Sequence, residues 1–153
     1  MSAVSAPVLL IEGNPDDVLL IRRAFHKADP RSQIHHAADG DEAVAYLSGQ
    51  GGFADRSQHP LPVLVLLDLK LPKRSGHEVL EWLRAQEGLR RLPVAILTSS
   101  QEPVDVKRAY DLGANAYLLK PLEFEALLEL VSALNLFWLI LNETPDIRGG
   151  VHA

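Results

Sequence analysis

Short apolar runs alternate with longer segments of helical periodicity along this chain, and that alternation limits the folds open to it. Five runs have the length of a strand, and we predict strands at 7–11, 33–37, 62–67, 93–97 and 115–119. The third run is apolar throughout, as expected of a strand that is covered on both faces. The alternation predicts an α/β fold in which helices cover a doubly wound, five-stranded parallel sheet.

Capping residues predict where the helices start. Asn14 can cap a first helix in which Pro15 takes the first position and Asp16 and Asp17 lie in the first turn, where acidic side chains suit the helix dipole. We expect that helix to end near Pro30. Three further starts are predicted by a spacing that lets side chains cap the backbone, at Asp39-x-x-Glu42, Ser75-x-x-Glu78 and Ser99-x-x-Glu102. The polar, glycine-rich stretch 48–61 is predicted to be a loop.

The composition restricts the class of protein. A chain of 153 residues with a net charge of −5 fits one globular domain and does not suggest a nucleic-acid surface. The absence of cysteine excludes disulfides and thiolate chemistry. The apolar stretch 127–141 is too short to span a bilayer and contains Glu129. We therefore expect a cytoplasmic protein with no membrane and no nucleic-acid partner.

Polar residues follow four of the predicted strands. A sheet of this kind binds its ligands outside the carboxyl ends of the strands. Glu12 ends the first strand, Asp68 the third, Thr98 the fourth, and Lys120-Pro121 the fifth. This set suits phosphoryl transfer to a carboxylate, in which Asp68 attacks, a hard cation spreads the charge, and Thr98 and Lys120 contact the transferring oxygens.

Several ordered motifs resemble the signatures of response-regulator receiver domains. They are Asp68-Leu-Lys-Leu-Pro72, Gly76, Thr98-Ser99 and Lys120-Pro121. The resemblance covers residues 7–141 and implies the flavodoxin-like (βα)5 receiver fold, with 142–153 as a C-terminal tail. It also implies a phosphorylation-dependent signalling protein in a two-component system.

Four features resemble the small regulators of phytochrome-type histidine kinases. They are Leu9–Glu12 followed by Asn14–Asp17, the lengthened loop before the third strand, Leu71–Gly76, and Asn135–Trp138. Regulators of this kind lack a DNA-binding output domain. The resemblance therefore implies a single-domain regulator whose partner is a sensor histidine kinase of the phytochrome type.

The resemblance also implies a role for each matching residue. Asp68 would be the phosphoacceptor, and Glu12 would contribute to a Mg²⁺ site together with Asp68 and the backbone carbonyl of Lys70. Thr98 would donate a hydrogen bond to the phosphoryl group, and Lys120 would pair with it.

Two further features are implied only by the resemblance. Tyr117 would be the aromatic switch residue whose rotamer responds to phosphorylation, so that switching couples it to Thr98. A cis peptide would precede Pro121.

Gly13 departs from the family pattern. Receiver domains usually carry a second acid at this position, which binds the metal directly. Loss of one carboxylate predicts weaker Mg²⁺ binding, because this ion gives up its water reluctantly. Two compensations are open: the longer side chain of Glu12, or positive charge from Lys70 near the phosphoryl oxygens.

The end of the last predicted helix is apolar on both sides. At 100° per residue one face carries Leu127, Leu130, Val131, Leu134, Trp138 and Leu141, and this face suits packing on the sheet. Leu136, Leu139 and Ile140 point the other way. We predict a homodimer through this helix, with Phe137 and Trp138 near the contact; the alternative is that the tail covers the apolar stripe.

Two other functions remain open. A phosphatase that hydrolyses its own aspartyl-phosphate needs a second acid two residues after the acceptor, where this chain has Lys70, so we expect no enzyme beyond self-phosphorylation and dephosphorylation. The serious alternative is a pseudo-receiver that signals through protein contacts without phosphate, because Gly13 impairs Mg²⁺ binding.

Overall fold

The computed structural model describes residues 6–141 and 143. The strands are β1 (Pro7–Ile11), β2 (Gln33–Ala37), β3 (Leu64–Leu67), β4 (Val94–Thr98) and β5 (Ala116–Leu119). The α-helices are α1 (Pro15–Ala28), α2 (Gly40–Ser48), α3 (Gly76–Ala85), α4 (Pro103–Asp111) and α5 (Phe124–Leu134). A short 3₁₀ helix spans Gly51–Phe53 in the predicted loop before β3, and a π-helix, Asn135–Leu141, continues α5.

The strands form one parallel sheet in the order β2-β1-β3-β4-β5. The chain runs from β1 to β2 on one side and then crosses to β3 on the other side of β1. This change of direction leaves a crevice outside the carboxyl ends of β1 and β3, where sheets of this type bind ligands. The order confirms the predicted doubly wound, flavodoxin-like fold.

Two apolar layers cover the sheet, because successive side chains of a strand point to opposite faces. Leu9 and Ile11 of β1 pack into the layer formed with α2, α3 and α4. Val8 and Leu10 pack into the layer formed with α1 and α5. All four residues of β3 are buried, as its apolar sequence predicted. The sheet is therefore held from both faces, and its carboxyl edge is left for the functional residues.

The predicted caps of the first three helices are confirmed. The side chains of Asn14, Asp39 and Ser75 each accept a hydrogen bond from a backbone N–H in the turn that follows. The first helix ends at Ala28, close to Pro30 as predicted.

The predicted start of α4 at Ser99 is wrong. The helix begins at Pro103, whose fixed φ suits the first helical position and whose missing N–H costs no hydrogen bond there. The hydroxyl of Ser100 instead donates to Asp105 Oδ2 at 2.6 Å. The segment between β4 and α4 is consequently a loop that Ser100 ties to the first turn of the helix.

Three strands begin one or two residues later than predicted, β5 among them at Ala116, and β4 also ends later. β3 and β4 start after Pro62 and Pro93, which lack the N–H that a strand donates to its neighbour. β4 continues to Thr98, which pairs with Leu119 of β5. Thr98 is thus the last residue of an inner strand, and the sheet fixes its backbone.

The change from α- to π-helix corrects part of the predicted helix face. Leu127, Val131 and Leu134 are buried as predicted. A π-helix has more residues per turn than an α-helix, so a wheel of 100° per residue fails after Asn135. Leu139 was predicted to point away from the sheet, and this was wrong, because it packs against the layer between the sheet and α1 and α5.

The change from α- to π-helix also removes residues from the predicted dimer contact. Trp138, like Leu139, packs against its own apolar layer. Leu136 and Phe137 are 52% and 53% exposed. The side chain of Ile140 and nearly all of the predicted tail 142–153 lie outside the described residues.

The described part of the chain contains no cis peptide bond, so the cis bond implied before Pro121 is a wrong expectation. None of its helices combines the length and the apolar composition needed to cross a membrane.

Candidate functional site

Four predicted residues meet in one cleft at the carboxyl edge of the sheet. Glu12 follows β1, Asp68 follows β3, Thr98 ends β4 and Lys120 follows β5. They line a cleft of about 590 Å³ that is also bordered by Gly13, Asp17, Lys70 and Pro72. Glu12, Asp68 and Thr98 are buried, so their charges and dipoles act with little screening by water.

The ammonium of Lys120 lies at the centre of this group. Its Nζ is 2.8 Å from Asp68 Oδ2, 2.8 Å from Glu12 Oε1 and 2.7 Å from Asp17 Oδ2. The backbone N–H of Lys120 donates to the carbonyl of Thr98 at 2.8 Å, which fixes where the side chain starts. Burial lowers the pKa of Lys120, but the hydrogen bonds to the three carboxylates outweigh burial and raise the pKa above its ordinary value. Lys120 therefore stays charged at neutral pH.

Asp68 is held as an ionised carboxylate. Its backbone N–H donates to the carbonyl of Ile11 at 3.0 Å, and its Oδ1 accepts the N–H of Lys70 at 3.3 Å. Burial favours the neutral form, but hydrogen bonds from Lys120 and Thr98 outweigh burial and hold the pKa of Asp68 below its usual value. An ionised, buried carboxylate beside a cation has the chemistry of a nucleophile toward phosphorus.

Glu12 lies deeper than Asp68 and behaves differently. Only 2% of Glu12 is exposed, and its Oε2 accepts the N–H of Asn14 at 3.1 Å. Burial raises the pKa of Glu12 to about 7, with a further contribution from the negative charge of Asp68, although Lys120 opposes the shift. Near neutral pH, Glu12 can therefore exchange its proton for another cation.

Asp17 is a member of this group that the sequence did not reveal. We interpreted it as an acid that suits the helix dipole. That role explains an acid in the first turn of any helix, so it gave no reason to expect a further contact. The structure turns its carboxylate toward Lys120 instead, while one third of the side chain stays exposed. The available signal was its position one helical turn after Gly13, on a helix that starts at the edge of the sheet.

Gly13 leaves only a narrow space for a side chain in the present packing. A Cβ atom built on Gly13 would lie 3.0 Å from Cδ of Pro72 and 3.3 Å from the carbonyl oxygen of Ala38. Contacts this short require a neighbour to shift by a few tenths of an ångström. Pro72, in the loop after β3, therefore lies in contact distance of the place where the family pattern would put an acid.

Gly76 keeps the loop after Asp68 close to α3. Its N–H donates to the carbonyl of Leu69 at 2.9 Å. A Cβ atom on Gly76 would collide with the carbonyl oxygen of Asp68 and lie 2.6 Å from Cα of Leu69. Only glycine allows this approach, and the approach sets the backbone on which Asp68 is presented.

Ser100 connects Thr98 to Tyr117. The N–H of Ser100 lies 3.5 Å from Thr98 Oγ1, and its carbonyl accepts the Tyr117 hydroxyl at 3.0 Å. Tyr117 itself lies outside the lining of the cleft. A displacement of Thr98 would therefore reach Tyr117 through one intervening residue.

The charge of the oxygen donors in the cleft suits a hard divalent cation, but their present arrangement around Lys120 does not. Three carboxylates face a single ammonium, and oxygen donors with surplus negative charge are those that Mg²⁺ prefers. Within the described residues no three His, Cys, Asp or Glu side chains are arranged to hold a metal ion, since the carboxylates close around Lys120. The residues fit such a cation if it competes with Lys120 for their oxygens.

Comparisons with known proteins agree with the geometry. The family model of the response regulator receiver domain matches residues 8–132. The chain is 43% identical over 138 residues to the probable methanogenesis regulatory protein FilR2 of Methanothrix harundinacea, an overlap of 90% of this chain and 86% of that protein. It is 35% identical over 132 residues to the response regulator Rcp1 of Synechocystis, covering 86% and 88% of the two chains.

Solved structures give the same likeness. The phosphorylated cyanobacterial phytochrome response regulator RcpA superposes with a TM-score of 0.86 at 34% identity, over 94% of this chain and 100% of that chain. The Mn²⁺-bound form of Rcp1 superposes with a TM-score of 0.82 at 33% identity, over 92% and 99%. The likeness therefore extends over nearly the full length of both relatives.

Proposed function

Because the chain belongs to the response-regulator receiver family, we propose that it is a single-domain response regulator that accepts a phosphoryl group on Asp68 from a partner histidine kinase. One observation carries the proposal. The ionised carboxylate of Asp68 lies in a cleft between the Lys120 ammonium and the Thr98 hydroxyl. The other carboxylates of the described cleft, those of Glu12 and Asp17, interact with Lys120 but not with Thr98.

The transfer needs little covalent chemistry from the protein. Asp68 attacks phosphorus, a P–O bond to the carboxylate forms, and the P–N bond to the kinase histidine breaks, so that the leaving imidazole takes up a proton. Lys120 and Thr98 contact the phosphoryl oxygens and offset the charge that gathers on them. Because Lys120 already contacts Asp68, the positive charge is in place before the phosphoryl group arrives.

The cofactor in this proposal is Mg²⁺, held by Glu12, Asp68 and the backbone carbonyl of Lys70. Receiver domains typically bind this ion, and the relative Rcp1 has a Mn²⁺-bound form. When bound, the cation neutralises charge on the transferring group. Gly13 weakens this site, because one acidic ligand is missing and Lys120 competes for the remaining oxygens.

The phosphoryl group biases two conformations through Thr98 and Tyr117. A phosphoryl group on Asp68 draws the Thr98 hydroxyl toward its oxygens, and Ser100 moves with Thr98. The carbonyl that holds the Tyr117 hydroxyl at 3.0 Å then shifts, so Tyr117 can change its rotamer. Ser100 also donates to Asp105, so the same shift reaches α4.

The kinase docks where exposed leucines flank the site. Leu19 is 67% exposed two residues after Asp17, and Leu122 is fully exposed two residues after Lys120. Replacing either leucine with serine should slow transfer from a kinase and leave phosphorylation by acetyl phosphate unchanged, because the small donor needs no docking surface. The likeness to phytochrome regulators makes a phytochrome-type kinase the first to be tried.

The chain forms a homodimer through the end of the last helix. The contact consists of Leu136 and Phe137, which expose large apolar surface side by side. Sedimentation velocity at micromolar concentration should show a dimer for the native chain and a monomer for Phe137→Ser. Val104→Ser removes a 69% exposed apolar side chain on α4 and should leave the dimer intact. A monomeric native chain contradicts this part of the proposal.

The proposal also includes the bounds of the domain and the cellular compartment. The receiver domain spans 7–141 with a tail at 142–153, and the protein acts in the cytoplasm, where histidine kinases transfer phosphoryl groups. It has no enzymatic role beyond its own phosphorylation and dephosphorylation.

Intact-protein mass after incubation with Mg²⁺ and acetyl phosphate tests the proposal. The native chain and Asp111→Asn should each gain one phosphoryl group, and Asp68→Asn should gain none. Gain of mass by Asp68→Asn, or no gain by the native chain, contradicts the proposal.

A second candidate, the pseudo-receiver, is favoured by one observation: position 13 has no acid, and Pro72 Cδ lies 3.0 Å from where its Cβ would be. In that case the native chain and Gly13→Ala gain no mass, whereas Gly13→Asp does. The alanine variant separates the effect of the carboxylate from that of the crowded Cβ.

A further inference from the structure

Asp17 brings a third carboxylate to the site from a helix rather than from the end of a strand. Asn14 caps α1 by accepting the N–H groups of Asp16 and Asp17 at 2.9 and 3.3 Å, and this fixes the first turn. In that turn the Asp17 carboxylate reaches Lys120 Nζ at 2.7 Å, while Asp16 is exposed to solvent. Two adjacent aspartates of one helical turn thus lie in different surroundings.

The place beside Glu12 cannot provide this charge. Position 13 is glycine, and Pro72 lies 3.0 Å from where its Cβ would be. The acid that receiver domains usually carry there is therefore absent, and its space is partly filled.

We propose that Asp17 supplies, from the first turn of α1, the second acidic charge of the cation site that Gly13 no longer supplies. The inference rests on the proposed function, because it assigns a further carboxylate to the Mg²⁺ site of that function. It gives Asp17 a role at the cation site that the family resemblance does not imply.

The present contacts of Asp17 are compatible with this role. Mg²⁺ keeps several of its waters, so Asp17 needs to reach only a bound water and not the ion itself. One third of the Asp17 side chain is exposed at the rim of the cleft, where a hydrated cation enters. When Lys120 turns to a phosphoryl group on Asp68, its contact with Asp17 is free to break, and the Asp17 carboxylate becomes available to the cation.

A titration with Mn²⁺ alone tests the inference without any phosphoryl transfer. Electron paramagnetic resonance of the free ion measures how much Mn²⁺ is bound. Asp17→Asn should weaken Mn²⁺ binding about 10-fold or more, as loss of a metal-orienting carboxylate does. Asp16→Asn removes the same charge from the same turn and should change binding no more than about 2-fold, because exposed charges are screened by salt. Asp17→Glu should retain most of the affinity. Equal weakening by Asp17→Asn and Asp16→Asn overturns the inference.

A double-mutant cycle provides a second test. Gly13→Asp, measured against Gly13→Ala, should improve Mn²⁺ binding more in an Asp17→Asn background than in the native one, because the two acids substitute for each other. Equal improvement in both backgrounds overturns the inference. Urea unfolding of each variant identifies any that are not folded, and Asp17→Ser, which also removes the carboxylate, then replaces Asp17→Asn in the comparison.

Failure of the inference is distinguishable from failure of the proposed function. If Asp17→Asn binds Mn²⁺ as tightly as the native chain, and the native chain still gains a phosphoryl group on Asp68, only the inference is wrong. If the native chain binds no Mn²⁺, the inference is also wrong, and the mass measurement on Asp68 still decides the function separately.

Discussion

The Lys120 ammonium donates a 2.8 Å hydrogen bond to Asp68 Oδ2 across the carboxyl ends of two strands that are not neighbours in the sheet. The strand between them, β4, ends in Thr98, whose hydroxyl helps to hold the pKa of Asp68 below its usual value. Asp68 therefore depends on Thr98 from the neighbouring strand and on Lys120 from the strand beyond it, and removal of either one leaves Asp68 in a different electrostatic environment.

Lys120→Met should destabilise the protein by about 3 kcal/mol at pH 8, because it leaves buried carboxylates without their partner. Urea unfolding measures the change. Lys107→Met also breaks a lysine–aspartate pair, that with Asp111, but on the exposed face of α4, and should leave the unfolding midpoint unchanged. Equal stability of the two variants would mean that the buried pairs contribute nothing.

Gly76→Ala should cost about 1–3 kcal/mol, because the new methyl group collides with backbone atoms of Asp68 and Leu69 that cannot move aside easily. It should also slow phosphoryl uptake, since the loop that presents Asp68 must shift. Gly52→Ala is the matched control, with no atom within 4 Å of the added Cβ. Thermal unfolding and intact mass compare the two, and similar results for both would contradict the assigned role of Gly76.

The stability of the metal-free protein should fall as pH rises from about 4.5 to about 7, through the contribution of Glu12. Burial raises the pKa of Glu12 in the folded state, so the unfolded chain loses this proton first and ionisation favours unfolding. The contribution is fully present below pH 4.5 and is lost above about 7. Its size is on the order of 3 kcal/mol.

Glu12→Gln keeps the size of the side chain and removes this titration. Urea unfolding with a chelator present should therefore give a pH profile that differs from the native one in that window. Other groups, such as His35, whose pKa burial lowers, act in both proteins and cancel in the difference. Parallel profiles would show that Glu12 does not titrate in this range.

Tyr117→Phe should lower the free energy of unfolding by about 1 kcal/mol, because the carbonyl of Ser100 loses its donor. Phosphoryl uptake should be unchanged, since Tyr117 lies outside the cleft. Tyr110→Phe removes a hydroxyl from a half-exposed side chain of α4 and should have little effect. Urea unfolding and intact mass measure the two effects, and loss of uptake in Tyr117→Phe would place this residue in the chemistry rather than in the switch.

Much of the fold could be predicted because it depends on local pattern. The apolar run of β3 and the caps at Asn14, Asp39 and Ser75 depend on residues that are close in sequence. The convergence of Glu12, Asp68, Thr98 and Lys120 follows from the strand order, because parallel strands bring their carboxyl ends to one edge.

The features that were missed depend on tertiary packing. Asp17 was explained by the helix dipole alone, and its contact with Lys120, 103 residues away in the sequence, depends on how α1 and β5 lie in the fold. The outward direction predicted for Leu139 assumed an uninterrupted α-helix, and the change at Asn135 has no marker such as proline or glycine. The start of α4 was misplaced because Ser99 and Glu102 have the spacing of a capping box without its geometry.

The narrow space between Gly13 and Pro72 has a consequence for how this sequence can change. An acid introduced at position 13 touches the proline ring, so the loop after β3 has to shift by a few tenths of an ångström to accommodate it. Receiver domains usually combine an acid at this position with the proline of the loop, so the two residues are compatible once that shift is made. A single substitution is therefore enough to restore two adjacent acids after β1, and no change at position 72 has to precede it.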